Sequence, residues 1–236
     1  MGRRIVILKT GSSFEELARE RGDYEDWIAA GLGVGRAGVR VVNAEAGEAL
    51  PPLAEIGALI VTGSAAMVTD RPPWSVRSAE LLADVVRSGR PTLAICYGHQ
   101  LLADALGGHV GDNPKGRQVG TIEVTLTAAG IADPLLGPAS PRSRFQASHV
   151  QAVLTLPPGA VHLATSPRDD NHVYRIGPRA WSVQFHPEFD AAVSRAYIER
   201  RRFIFRDEGH DPDALLDDLR ETPAGPSLLE RFAGLV

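Results

Sequence analysis

The 236-residue sequence has a single cysteine, few aromatic residues and no excess of positive charge. One cysteine excludes an internal disulfide, which fits a reducing cytoplasm. The net charge of −4 offers no surface for a polyanion, so we expect no nucleic-acid partner. No apolar run approaches the roughly 18 residues of a membrane span, and the first residues lack the features of a secretory signal. These absences predict a cytoplasmic protein that binds neither nucleic acid nor membranes.

The hydrophobic content of 44% is sufficient for one substantial core. In the first half of the chain, short apolar runs alternate with helical patterns. Because these runs are apolar throughout, they favour a parallel sheet with helices on both faces. The sequence therefore predicts an α/β fold with a doubly wound, mostly parallel sheet. Strands are predicted over residues 3–9, 39–43, 58–62 and 91–95, and helices over 14–30 and 74–88.

From about residue 120 the pattern changes to strands with partial alternation and short turns. This texture predicts hairpins and a β-rich, mixed-sheet second half. The predicted strands cover residues 121–126, 151–156, 161–165, 173–176 and 180–185.

The C-terminal segment has helical character. One helix is predicted over residues 190–205, a second begins at Asp211-Pro212, and a third begins with a capping box at Ser227. We expect residues 1–190 to form the functional domain and residues 191–236 to form a helical extension packed on it.

Cys96 follows the apolar strand 91–95 and precedes a helix predicted over 100–106. The positive end of a helix dipole stabilises anions, and its free N–H groups can bind an oxyanion. Ala94 and Gly98 are small enough for a tight turn between strand and helix. A lone cysteine is more often a small buried hydrophobe. This placement nevertheless indicates a nucleophile.

His186 and Glu188 come just after the last predicted strand, separated by Pro187. The proline favours an extended His186, and residues two apart in an extended segment point to the same side. A carboxylate so placed can orient an imidazole, which can then deprotonate a thiol. Read alone, such a pair more often lies in a surface loop. A metal site is disfavoured, since one histidine, one glutamate and a distant cysteine lack the ligands of a zinc centre.

An oxyanion hole would complete the set. The backbone N–H of Tyr97 directly follows the nucleophile, and a second donor is available at Gly63, in the turn after strand 58–62. The ends of parallel strands lie on one edge of a sheet, where ligands bind. The segments that carry Gly63, Cys96 and His186 are therefore expected to converge.

The segment 33–38, GVGRAG, matches the dinucleotide-binding pattern GxGxxG. Phosphate binding requires a strand before the glycines and a helix after them. Here the order is reversed, so we interpret the segment as a loop between a helix and a strand.

Together the motifs resemble those of the triad-type, class-I glutamine amidotransferases. Their nucleophile pattern G-x-C-x-G-x-Q is matched by AICYGHQ at residues 94–100, with Ala94 in place of the first glycine. Their second signature, QFHPE, is intact at residues 184–188. The resemblance covers roughly residues 3–190. The resemblance implies Cys96 as nucleophile, His186 as general base, Glu188 as its partner, Gly63 and Tyr97 as oxyanion donors, and Gln100 and His149 (in a loop over 145–149) as substrate contacts.

The implied activity is hydrolysis of the γ-amide of glutamine through a cysteine thioester, with no cofactor and no metal. A separate synthase chain would then be the partner that receives the ammonia. The alternatives are a stand-alone hydrolase or peptidase acting on γ-glutamyl peptides, and a non-enzymatic binding relative. The complete set Cys96, His186 and Glu188 argues against the last.

Overall fold

The computed structural model describes residues 4–138 and 140–236. Arg3, the first residue of the first predicted strand, lies outside the described residues. Strands and helices alternate through the first half, as the sequence predicts. The strands are β1 Arg4–Lys9, β2 Val39–Asn43, β3 Ile56–Val61, β4 Thr92–Ile95, β5 His109–Asp112, β6 Gln118–Leu126, β7 Arg142–His149, β8 Gln151–Thr155, β9 Ala160–Ser166, β10 Asp169–Ile176 and β11 Ala180–Val183. The helices are α1 Glu15–Arg21, α2 Tyr24–Gly31, α3 Pro73–Arg87, α4 Tyr97–Ala105, α5 Ala128–Ile131, α6 Ala191–Arg200, α7 Arg202–Asp207, α8 Pro212–Asp217 and α9 Ala224–Gly234.

The described residues form a nine-stranded sheet in the order β2-β1-β3-β4-β11-β10-β9-β6-β7. Five neighbouring strands of this sheet are parallel to one another: β2, β1, β3, β4 and β11. All four residues of β4 and of β11 are buried, because helices cover both faces of a parallel sheet. The predicted α/β class is confirmed, and the carboxyl ends of β3, β4 and β11 lie side by side.

The other half of the sheet is antiparallel, which agrees with the predicted β-rich second half. Strand β7 was not predicted: residues 145–149, expected in a loop, are part of it. Strand β7 pairs with β6 over eight residues, from Arg142 opposite Thr125 to His149 opposite Gln118. Strand β5, also unpredicted, pairs with β8 in a separate two-stranded sheet.

Three of the helical predictions away from Cys96 need correction. The segment 14–30 is two helices, because Gly22 has a φ of 82° and Asp23 starts α2 with a capping box. The segment 190–205 is also divided, at Arg201. Helix α9 begins at Ala224 after Pro223, and not with a capping box at Ser227.

Helix α9 packs tightly against the body of the fold. A Cβ added at Gly31 of α2 would lie 2.4 Å from Leu229 Cδ1. A Cβ added at Gly225 would lie 2.4 Å from the carbonyl oxygen of Pro187. The C-terminal helix is therefore in direct contact with the segment that carries His186 and Glu188. Among the described residues, no helix has both the length and the apolar character needed to cross a membrane.

Candidate active site

Cys96 lies in the turn between β4 and α4, with a left-handed backbone at φ 50° and ψ −98°. Its N–H donates to the carbonyl of Val183 on β11 over 2.9 Å, which ties the turn to the neighbouring strand. A Cβ added at Gly98 would lie 2.8 Å from the carbonyl oxygen of Val61, so only glycine lets α4 approach β3 this closely. Helix α4 starts at Tyr97, immediately after the thiol, and not at residue 100 as predicted.

Gly63 faces Cys96 from the end of the adjacent strand. A Cβ added at Gly63 would lie 2.8 Å from His186 Cε1 and 3.7 Å from the Cβ of Cys96. Within residues 4–138 and 140–236, the N–H groups of Gly63 and Tyr97 make no backbone hydrogen bond. Both are therefore available as donors beside the thiol.

His186 and Glu188 form a buried pair. His186 Nδ1–H donates to Glu188 Oε1 over 2.7 Å, and the His186 N–H donates to the carbonyl of Gln146 over 2.8 Å. The imidazole stacks on the ring of Phe189, with centroids 4.0 Å apart. These contacts fix the ring plane and leave Nε2 for other partners.

The pKa of His186 reflects two opposed effects. Burial lowers the pKa, but the negative charge of Glu188, the neighbouring Cys96 and the hydrogen bond to Glu188 raise it to about 10. The arrangement therefore favours the imidazolium form of His186 beside Cys96.

Gln100 and His149 line the same pocket as Cys96 and share a hydrogen-bond acceptor. Gln100 Nε2 donates to the carbonyl of Gln151 over 2.8 Å and to Gln184 Oε1 over 3.0 Å. His149 Nδ1–H donates to the same Gln151 carbonyl over 2.9 Å. Burial and the nearby charge of His172 lower the pKa of His149 to about 4.

One narrow pocket joins most of these groups. The structure thus brings the seven predicted residues together: four line the pocket, Gly63 lies against Cys96 and His186, and Glu188 is bonded to His186. The sequence did not single out two further lining residues, Arg117 and Arg201. The lining includes Cys96, Tyr97, Gln100, His149, Arg117 and Arg201.

The model of the class-I glutamine amidotransferase family matches residues 22–205. The chain belongs to this family. The GMP synthase (glutamine-hydrolysing) of Aeropyrum pernix is 39% identical over 142 residues, which are 60% of this chain and 25% of that protein. A subunit of the glutamine-hydrolysing GMP synthase of Haloarcula marismortui is 41% identical over 99 residues, which are 42% of this chain and 51% of that protein. The matched parts thus span a quarter and about half of these relatives' own lengths.

Solved structures have the same fold as this amidotransferase. A glutamine amidotransferase from Thermotoga maritima superposes with a TM-score of 0.74 at 22% identity, covering 99% of both chains. At this identity the likeness supports the fold alone.

A hydrogen-bonded cluster supports His149 in this amidotransferase. One ligand atom each from His149, Asp169 and His172 lie within 4.8 Å of one another, a donor set that suits a divalent cation. Two of these groups bond to each other, since His172 Nδ1–H donates to Asp169 Oδ2 over 3.3 Å, and Gln118 Oε1 packs 3.3 Å from His149 Nε2. Ser166 connects the two halves by donating to Gln118 over 2.9 Å. The cluster holds the His149 ring at the pocket wall.

The GxGxxG segment has no part in this amidotransferase site. Residues 33–38 are exposed and connect α2 to β2, the reversed order that the sequence predicts. In the part of the chain that the structure describes, no α-helix begins at these glycines, as phosphate binding would require.

Proposed function

We propose that the chain hydrolyses the γ-amide of glutamine through a thioester on Cys96, with Cys96, His186 and Glu188 as the catalytic triad. The observation that carries this proposal is the buried His186–Glu188 pair, joined over 2.7 Å, next to the strained Cys96. Membership of the class-I amidotransferases supports the reaction type.

The proposed reaction begins with attack of the Cys96 thiolate on the γ-carbonyl carbon. The N–H groups of Gly63 and Tyr97 hold the oxyanion of the tetrahedral intermediate. The His186 imidazolium gives its proton to the departing nitrogen, which leaves as ammonia. The γ-glutamyl thioester remains on Cys96.

Neutral His186 then takes a proton from water, and the resulting hydroxide attacks the thioester carbonyl. The thiolate leaves and glutamate is released. Glu188 keeps the ring oriented through both halves of the cycle and stabilises its charge. Gln100 and His149 are proposed to bind the amino-acid end of the substrate.

The proposed partner is a separate synthase chain that takes up the ammonia. Relatives that are themselves named as single subunits of GMP synthase support this role. In this proposal residues 1–190 form the amidotransferase domain and residues 191–236 a helical extension.

A second candidate is a stand-alone hydrolase of γ-glutamyl peptides. The observation that favours it is the position of the C-terminal helices, because the junction of α6 and α7 brings Arg201 into the lining of the Cys96 pocket. A synthase docking at this pocket would meet these helices.

The test compares two substrates on the purified chain. Ammonia release from glutamine is expected for the amidotransferase, and release of free amino acid from γ-glutamyl peptides for the hydrolase. Cys96→Ala should abolish either activity. If the wild-type chain and Cys96→Ala release the same background amounts from both substrates, with and without a co-purified synthase, the proposed chemistry is wrong.

A further inference from the structure

Four buried side chains with lone pairs meet in the antiparallel half of the sheet. Gln118 is the first residue of β6 and lies opposite His149, the last residue of β7. Asp169 and His172 come from β10. None of the four is more than 4% exposed. His149 also lines the pocket that contains Cys96, so this pocket gives the group its route to solvent.

Two hydrogen-bond acceptors of this group face each other. His149 Nδ1–H donates to the carbonyl of Gln151 over 2.9 Å. Because a carbonyl can only accept, Nδ1 carries the hydrogen, and Nε2 of the neutral ring carries a lone pair. This lone pair meets Gln118 Oε1 at 3.3 Å, and that oxygen already accepts from the Ser166 hydroxyl over 2.9 Å. A cation can satisfy both lone pairs at once.

The carboxylate of Asp169 is buried with little compensation of its charge. Its Oδ1 accepts from the Asn171 N–H over 2.9 Å, and its Oδ2 accepts from His172 Nδ1–H over a longer 3.3 Å. Among residues 4–138 and 140–236, His172 is the only ion-pair partner of Asp169 within 4.0 Å. A buried charge is costly unless it is paired or coordinates a metal. The carboxylate is therefore suited to a positive ion.

The spacing of these atoms suits a tetrahedral metal site. Zinc ligands that lie about 2.0–2.1 Å from the ion are separated from one another by about 3.3–3.5 Å. His172 Nδ1 and Asp169 Oδ2 are 3.3 Å apart, and so are His149 Nε2 and Gln118 Oε1. One ligand atom each from His149, Asp169 and His172 lies within 4.8 Å of the other two, so each pair needs at most about 1.5 Å of closure.

The groups behind these atoms are those that metal centres use. A metal-binding histidine usually donates its other N–H to a carbonyl or carboxylate, and ligating carboxylates are themselves hydrogen-bonded. His149 and Asp169 have such bonds, to the Gln151 carbonyl and from the Asn171 N–H. His172 Nε2 is buried without a hydrogen-bond partner in the described part of the chain. It can therefore carry the ring hydrogen when Nδ1 binds a metal, and no proton has to leave the site.

We propose that His149 Nε2, His172 Nδ1 and the Asp169 carboxylate bind one divalent transition-metal ion such as Zn²⁺, with Gln118 Oε1 as the fourth ligand. Two imidazoles with two oxygens favour Zn²⁺, Co²⁺ or Ni²⁺ over Mg²⁺ and Ca²⁺, which prefer oxygen ligands alone. The ion supplies a counter-charge for the buried carboxylate and joins β6, β7 and β10. None of the three proposed catalytic residues is a ligand, so the inference does not depend on the thioester chemistry.

The test measures metal binding by the full-length Cys96→Ala variant, which cannot bind an ion through the thiol. After treatment with EDTA, calorimetric titration should give one Zn²⁺ per chain. Free Zn²⁺ at about a hundredfold excess over Kd should raise the thermal midpoint by about 5 °C or more. Co²⁺ should give the visible absorption bands of a four-coordinate site without sulfur, whereas Mg²⁺ and Ca²⁺ should leave the midpoint unchanged.

Asp169→Asn and His172→Gln, each in the Cys96→Ala background, remove one ligand and keep the approximate shape of the side chain. Each should weaken Zn²⁺ binding about hundredfold or more, since even changes behind the ligands cost about 10–100-fold. Asp170→Asn in the same background is the matched control. This neighbouring carboxylate is exposed and pairs with Lys115 over 2.7 Å, so its loss should leave the affinity for Zn²⁺ unchanged.

Absence of Zn²⁺ binding by Cys96→Ala would overturn the inference. Unchanged affinity in both ligand variants would overturn it as well, because the ion would then lie elsewhere. Thermal unfolding in EDTA shows whether each variant is folded. If neither ligand variant folds, anomalous diffraction at the zinc edge from Zn²⁺-soaked crystals of Cys96→Ala decides. An ion between His149, Asp169 and His172 supports the site, and an ion at another position, or none, contradicts it.

Discussion

The backbone of Cys96 is strained, because a φ of 50° costs a residue with a side chain about 1–3 kcal/mol. The strain is maintained by hydrogen bonds on both sides of the residue. Its N–H donates to Val183 over 2.9 Å, and its carbonyl accepts from the Gln100 N–H over 3.2 Å. A conformation imposed in this way on a single thiol is typical of a functional position.

Gly63→Ala tests how closely the proposed triad is packed. The added Cβ would lie 2.8 Å from His186 Cε1, so the imidazole must shift. We expect kcat to fall roughly tenfold to hundredfold, since small misplacements of a catalytic group have large effects on rate. The thermal midpoint should change little. Gly234→Ala is the control, because a Cβ there meets no described atom within 4 Å. Full activity of Gly63→Ala would contradict the close approach of His186.

Glu188→Gln tests the charge behind His186. The shape is retained, but one of the negative charges that raise the pKa of His186 is removed. The imidazolium should therefore be lost at a lower pH than in the wild type, and kcat should fall roughly hundredfold or more. NMR titration of the His186 ring measures the first effect and steady-state kinetics the second. Glu230→Gln, on the outer face of α9, should change neither. An unshifted titration in Glu188→Gln would contradict the proposed pairing.

At the scale of elements, α4 is anchored to the sheet by buried polar contacts. His99 Nδ1 lies 2.8 Å from Ser182 Oγ on β11, and the Tyr174 hydroxyl donates to the His99 carbonyl over 2.8 Å. Burial lowers the pKa of His99 to about 3, so its imidazole stays neutral in the folded chain. The position of α4, and with it that of the proposed oxyanion donor at Tyr97, depends on this neutral histidine.

A pH dependence of stability follows. In the unfolded chain His99 is protonated below about pH 6.5. In the folded chain it is protonated only when the pH approaches 3. The unfolded state then binds more protons, so the free energy of unfolding falls by up to about 1.4 kcal/mol per pH unit as pH decreases. His99→Gln should reduce this slope by about that amount in urea unfolding between pH 6 and 4. The exposed His109→Gln should leave the slope unchanged. An equal slope with and without His99 would contradict this account.

Local signals decided which elements the sequence could predict. The buried strands β1 to β4 and their helices were predicted because continuous apolar runs are visible without knowing the partners. Strand β7 has the sequence RSRFQASH, which is stabilised as a strand by pairing with β6. The paired residues are separated in sequence by at least 16 residues. Such non-local hydrogen bonds leave little trace in a short window.

At the scale of the molecule, the site combines groups from distant parts of the chain. Cys96, His186 and Glu188 could be predicted because each lies in a short motif next to a strand end. Arg201 could not, since its place in the pocket depends on the break between α6 and α7 and on stacking against Phe14. Residues 200–202 are three consecutive arginines, and the sequence does not indicate which of them lines the pocket.

Removal of the chain after Asp207 tests whether the C-terminal helices are part of the folded unit. Leu228, Leu229 and Phe232 of α9 are fully buried and belong to the same core cluster as Ile28 and Trp181. Loss of buried side chains of this size costs about 2–5 kcal/mol each. We therefore expect the thermal midpoint to fall by about 10 °C or more.

The matched control for this truncation is removal of Val236 alone, which is 46% exposed and should have no measurable effect. The truncated chain should also lose the proposed hydrolytic activity, because α9 contacts Pro187, between His186 and Glu188, through Gly225. An unchanged midpoint with intact activity would mean that residues 208–236 are dispensable and that the amidotransferase domain folds without them. A lower midpoint with activity retained at low temperature would instead limit α9 to a stabilising role, with the triad held by β11 and Phe189.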